Sequence, residues 1–314
     1  MNPSFLHITN GDSTTEYLKS LKFQGDFITW REMLCEGRTS LDVGSESFWK
    51  TRFNFLKSNY KVTKKNFINL TLKEYRNLCQ TKGQKEIILW FEYDLFCQIN
   101  LIALVSWIKR FRKDEKVTLI CSGDIEGKDR KLGLCELNKE QIHQHFENRV
   151  ELSVDDIEYA DYVWQLYCSD SPLRLNTVKQ FNPAHKFLYL DDALDLHLKR
   201  FPSVENGLNL VENYILKVAE ESKAKSKHEL VKNLLGIQNV FGFSDLQYFQ
   251  KIDRMKGLFT SLNPVKLSRK GKKVITNELN FYQNLRNNEA YFGGAKKYSY
   301  LYYNATDKML KITS

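Results

Sequence analysis

None of the six cysteines, Cys35, Cys79, Cys97, Cys121, Cys135 and Cys168, forms a CxxC pair with another, and no zinc-ligand spacing is present. They predict reduced thiols in an intracellular, cytoplasmic protein. No apolar run approaches the roughly 20 residues that span a bilayer. The start of the chain has no basic region leading into an apolar stretch, so the sequence predicts neither a membrane segment nor a cleaved secretory signal. Also missing are GxGxxG, GxxxxGK[ST] and GxSxG, which removes the simplest dinucleotide, P-loop and hydrolase readings. His143 and His145 lie two apart on an expected helix, where their rings diverge by roughly 200° and cannot share one metal. There is no internal repeat, and the lysine-rich run 220–227 is the one biased stretch.

What the chain does have is ordinary globular material: 314 residues, 42% hydrophobic and 27% charged. That is enough for two domains, each with its own core. The net charge of +9 leans toward nucleic acid, nucleotides or phosphates as partners, although abundant lysine is equally the mark of a solvated surface.

The chain opens as a strand, Phe5 to Thr9, then a turn through Asn10 and Gly11, then a helix whose Ser13 and Glu16 fit a capping box. A second strand covers 26–30, a helix 45–60, and a further capping box at Thr71 and Glu74 opens another helix. The apolar run 86–91 is the clearest buried strand. It leads through Glu92, Tyr93 and Asp94 into an apolar helix over 95–111, and 116–121 is a fourth strand. Strands alternating with helices predict a Rossmann-like, mostly parallel α/β sheet in residues 1–130. A helical connecting region follows in 131–205, with helix starts at Asn138 and Ser153. Residues 206–314 read as a winged-helix-like end, with a recognition helix near Ser244–Met255 and closing strands at 298–303 and 309–312.

Parallel strands bring their carboxyl ends to one rim, where ligands of open α/β sheets bind. That rim would gather Asn10, Gly11, Asp12 and Ser13; Trp30, Arg31 and Glu32; and Glu92 with Asp94. Helix-start amides could receive a phosphate or carboxylate, but the charge of Asp12 opposes a bare anion unless a metal, Arg31 or Arg38 intervenes. Asp12, Glu32, Glu36, Glu92 and Asp94 could hold a hard divalent cation such as Mg²⁺ or perturb one another for acid–base work. The competing reading pairs these carboxylates with Arg31, Arg38 and Arg52 and makes Asp94 a helix cap. His7, inside a strand, reads as a core histidine or as a ligand contact. Trp30 and Trp90 could wall the pocket or simply fill the core. The basic stretch 266–273 could touch phosphates without reading bases.

Three stretches together resemble a bacterial family of uncharacterised proteins, the domain of unknown function numbered 1835. Its His-x-x-Asn-Gly-Asp-Ser pattern is matched by His7, Asn10, Gly11, Asp12 and Ser13. Its Trp-Arg-Asp-x-Leu-x-Glu-Gly-Pro pattern is matched by Trp30, Arg31, Leu34, Glu36 and Gly37, with Glu32 in place of the aspartate and Arg38 in place of the proline. Its Leu-Trp-Phe-Glu-x-Asp-Leu-x-x-Gln pattern is matched from Leu89 to Gln98, with Cys97 where many members carry a second aspartate. Phe201-Pro202, Gly207-Leu208, Leu267-Ser268, Gly271 and Phe292-Gly293-Gly294 extend the likeness over nearly the whole chain. The resemblance implies the domain layout and the rim residues and carries no particular reaction.

The sequence therefore predicts a small polar, phosphorylated or nucleotide-like ligand at the rim. Asp12, Glu92 and Asp94 would do any chemistry, and His7, Asn10, Gly11, Ser13, Trp30, Arg31, Glu32, Glu36, Arg38 and Gln98 would surround the ligand. The metal is left open, as are the oligomeric state and the choice between enzyme and binder. The alternative is a regulatory DNA-binding or protein-interaction module acting through the C-terminal end.

Overall fold

The computed structural model describes residues 5–181, 184–237 and 240–312, apart from the side chain of Lys179. The chain enters through β1 (Phe5–Thr9), α1 (Asp12–Ser20), β2 (Asp26–Thr29), the two-residue β3 (Gly37–Arg38) and α2 (Glu46–Tyr60). Next come α3 (Lys64–Phe67) and α4 (Lys73–Gln80), joined by a π-helical turn over Ile68–Leu72. Then follow β4 (Glu86–Glu92), α5 (Leu95–Phe111), β5 (Val117–Ser122), α6 (Lys139–Glu147), β6 (Val150–Glu151), α7 (Val154–Tyr167) and α8 (Leu190–Leu198). The C-terminal third holds α9 (Leu210–Glu221), α10 (Lys227–Gly236), α11 (Asp245–Arg254), β7 (Phe259–Leu262), β8 (Val265–Leu267) and α12 (Arg269–Ile275). It closes with α13 (Tyr282–Leu285), β9 (Tyr291–Gly293), β10 (Ala295–Lys296), β11 (Tyr300–Tyr303) and β12 (Lys308–Lys311).

The main sheet has the order β2-β1-β4-β5-β6. Its first four strands are parallel, and β6 is an antiparallel edge. This is the Rossmann-like α/β architecture expected of the first 130 residues, followed by a mainly helical region. The strand order reverses between β1 and β4, so the crevice at the switch point opens beyond Thr9 and Glu92.

Period-two alternation in β4 builds both faces of the sheet. Ile87, Leu89 and Phe91 enter one large apolar cluster with α5 and α7; Ile88 and Trp90 enter a smaller one with Leu18 of α1 and Ile142 of α6. Helix α5 is buried along nearly its full length, which explains why its sequence is apolar all round. The large cluster is continuous from Leu6 through α8 and α9 to Tyr302, so all three segments share it.

Two capping boxes read from the sequence are not formed. Gly11, at φ 116°, lets α1 begin at Asp12, which places Ser13 inside the first turn; no side chain of the described residues caps the helix. Thr71 falls within the π turn, and the Glu74 carboxylate instead accepts the Thr29 amide at 2.9 Å. The boxes at Asn138, Ser153 and Asn209 are all present.

Candidate functional site

A cleft lies at the switch point, in two adjoining lobes of about 330 and 300 Å³. The first is lined by Asn10–Thr14 at the start of α1, together with Cys135; the second by Tyr93, Asp94, Phe96, Cys97 and Gly242. Asn10, Glu92, Gly133 and Glu136 belong to both.

The two helices that start here present their N-termini differently. Helix α5 is fully satisfied: the Asp94 carboxylate accepts the Cys97 amide at 2.9 Å, and the Leu95 and Phe96 amides donate to the carbonyls of Val240 and Phe241 at 3.0 and 3.2 Å. Among the described residues helix α1 has no side-chain cap, and its first turn lines the cleft. Its amides and dipole therefore remain available to an acceptor from outside the chain. A chain of hydroxyl contacts fixes this helix, with Thr15 Oγ1 2.5 Å from Thr9 Oγ1 and 2.7 Å from Thr29 Oγ1.

Asn10 is held rigidly, donating to Cys97 Sγ at 2.9 Å and accepting from Asn100 Nδ2 at 2.8 Å. Asn100 also donates to the Glu32 carbonyl and accepts the Leu34 amide at 3.1 Å, so one buried amide ties the ends of β1 and β2 to α5. Sequence reasoning missed Asn100; the signal was a polar residue in mid-helix among apolar neighbours. It also missed the loop Gly133–Glu136, which carries no motif but forms the outer wall.

Glu92 accepts the Leu134 amide at 2.7 Å. Burial, reinforced by the charge of Asp94, pushes its carboxyl from the ordinary 4.5 up to about 7. Asp94 is buried and is also pushed up by burial, although the amides it caps oppose the shift. Burial raises the Cys97 thiol well above its usual range, so it stays protonated. One donor atom each from Glu92, Asp94 and Cys97 lies within 4.8 Å of the others, a spacing that could hold a metal ion. With the thiol protonated, the two carboxylates are the donors left, and one or two carboxylate oxygens suit a hard cation that keeps its other positions for water or phosphate.

Gln98 stands behind this group, donating to the Glu92 carbonyl at 2.8 Å, and is buried. Asp12 sits at the mouth, exposed, with Arg31 Nε 3.0 Å from both its oxygens and Nη2 2.5 Å from one. Arg31 also donates to the Leu70 carbonyl at 2.9 Å, so it neutralises Asp12 from a fixed position.

Other expected members lie elsewhere. Glu32 is buried against Arg52 at 2.9 Å, and Glu36 is buried among Lys251, Arg200 and Tyr60. Both carboxylates are used up in the interior, where the Arg52 guanidinium also takes the carbonyls of Met33, Glu36 and Arg38. Arg38 stacks on Tyr291 beside a separate hollow with Cys168 and Gly294. Trp30 is buried next to Trp49. His7 is a core residue: its Nδ1 accepts from Trp90 Nε1 at 3.0 Å and its Nε2 donates to the Gln24 carbonyl at 3.1 Å. That pattern requires the neutral ring, and burial lowers its pKa accordingly.

No protein-family model matches the chain, and no curated protein matches it. Among solved structures, the Plasmodium falciparum topoisomerase II DNA-binding, cleavage and re-ligation domain aligns at a TM-score of 0.44 and 11% identity. The alignment covers 81% of this chain and 42% of that one, so the chain spans less than half of the structure it matches. A likeness at this level carries no argument about function.

Proposed function

We propose that the switch-point cleft binds a small phosphorylated or nucleotide-like ligand together with a divalent cation such as Mg²⁺. The observation that carries this reading is the pairing of two unlike lobes across Asn10 and Glu92: uncapped amides on one side, paired carboxylates on the other. A phosphate would sit at Gly11–Ser13, a cation between it and Glu92 and Asp94, and Arg31 would offset the charge of Asp12. With no cation bound, burial and Asp94 raise the Glu92 carboxyl to about 7, so cation binding would be coupled to release of its proton.

The unpaired cysteines among the described residues fit a cytoplasmic setting. Kinship with the domain of unknown function numbered 1835 is part of the same proposal. So is a winged-helix-like unit over residues 206–314, with helices α9–α11 and with β11 and β12 as its closing strands.

Thermal-shift measurements with Mg²⁺ and a panel of nucleotides and sugar phosphates test the reading. It expects stabilisation by at least one phosphorylated compound that needs Mg²⁺ and is abolished in Glu92→Gln. A panel that leaves the melting temperature unmoved with or without metal removes it.

A further inference from the structure

The charge of this chain is not spread evenly. Residues 206–314 carry 18 Lys and Arg against 9 Asp and Glu, a surplus of nine, which is the surplus of the whole chain. Residues 1–205 carry 29 of each and are neutral.

Within the basic third, the fold gathers cations from three separate stretches. In β8, Lys266 points outward between buried Val265 and Leu267. The next four cations lie on α12, whose Gly271 and Val274 face inward and leave Arg269, Lys270, Lys272 and Lys273 exposed. The Val265 amide donates to the Ala224 carbonyl at 2.9 Å, which brings exposed Lys223 and Lys225 alongside the hairpin. Of these seven cations, Lys272 is paired, 3.4 Å from Glu220; among the described residues the other six have no ion-pair partner.

We infer that this face, formed by the α9–α10 turn, the β7–β8 hairpin and α12, binds a nucleic-acid backbone through its phosphates. The inference is independent of the cleft and its ligand. Six exposed cations without ion-pair partners attract an outside polyanion, and a phosphate backbone is one. An anionic membrane fits less well. A membrane-seeking surface mixes its cations with exposed apolar side chains, whereas none of the exposed large hydrophobic residues falls between 211 and 234 or between 247 and 302. The face offers point charges rather than bidentate readers of base edges, so binding would position the protein without selecting sequence.

The helix expected to enter a groove is unsuited to do so. Gln250 and Arg254 of α11 donate to Asn59 of α2, and Lys251 is buried on Glu36. Its exposed N-terminal turn presents Asp245 and Leu246. Recognition-helix docking would first require α11 to separate from α2.

Salt titration on a random-sequence DNA duplex decides the matter. The full chain should bind at low salt, with log K falling linearly against log salt. Replacing Lys266, Arg269, Lys270 and Lys273 by Gln should lower the magnitude of that slope by about 3 to 4, at about 0.9 for each phosphate no longer neutralised. Replacing the exposed Lys57, Lys61, Lys64 and Lys65 of the neutral part by Gln should leave it unchanged. No binding at low salt, equal slopes for the two quadruple variants, or binding to phosphatidylserine vesicles but not to the duplex would each overturn the inference.

Discussion

Glu92 and Glu36 show how one residue type takes opposite roles according to its neighbours. Glu92 loses water and faces Asp94, so its folded pKa stands near 7 rather than 4.5. The native state therefore holds a proton that the unfolded chain has released between those values, and stability falls as pH rises through that window. Thermal unfolding measured from pH 4.5 to 7.5 should show this component in the wild type and not in Glu92→Gln. Burial also works against the Glu36 carboxylate, but Lys251, Arg200 and the Tyr60 hydroxyl outweigh it and hold the group down at about 2. Its contribution is present above 4.5 and disappears only as pH falls toward 2. Arg52 belongs with these buried charges, since its guanidinium pairs with Glu32 Oε2 and takes three carbonyls at once. Arg52→Met leaves Glu32 uncompensated and should cost about 3–5 kcal/mol in denaturant unfolding, with the loop 31–38 losing hydrogen-exchange protection.

At the scale of elements, the first turn of α5 joins the cleft to the C-terminal third. Asp94 caps the helix from within, while Val240 and Phe241 cap it from a distant part of the chain. Gly242, at φ +67°, sits so close that a Cβ there would overlap the Asp94 carboxylate. Gly242→Ala should therefore destabilise by at least about 1 kcal/mol and displace Asp94. Asp94→Ala removes the side-chain cap and should cost about 1 kcal/mol, read by chemical denaturation. A cost well below that would show that Asp94 does not hold the helix start.

These elements also show what the sequence could disclose. The bounds of α5 were legible because its apolar run begins after an aspartate and ends in a basic turn. The continuous apolar run of β4 was equally plain, and together with the end of β1 it brought Asn10, Glu92 and Asp94 to one rim. Glu32 and Glu36 were misplaced because their distance along the chain from Asp12 says nothing about depth. Their partners lie in α2 (Arg52), just after α8 (Arg200) and in α11 (Lys251). The β3–β9 pairing was hidden for the same reason, since its two short strands lie more than 250 residues apart.

Across the whole molecule, the continuous apolar core and the Glu36–Lys251 contact hold the α/β sheet and the C-terminal third together. Glu36→Ala would strand Lys251 and Arg200 in the interior and should lower stability across the chain by about 3–5 kcal/mol. Because one core serves all segments, unfolding followed by tryptophan fluorescence and by far-UV circular dichroism should remain a single coincident transition in the wild type. The cleft is lined by the neutral part apart from Gly242, and the basic face lies in the C-terminal third.

In the proposed function, Glu92 and Asp94 hold a cation beside the start of α1. Anomalous diffraction from crystals soaked in Mn²⁺, used as a stand-in for Mg²⁺, tests it most directly. A peak is expected within bonding distance of both carboxylates and should vanish in Glu92→Gln. A crystal with no peak in the cleft, or with its manganese held elsewhere, would contradict it.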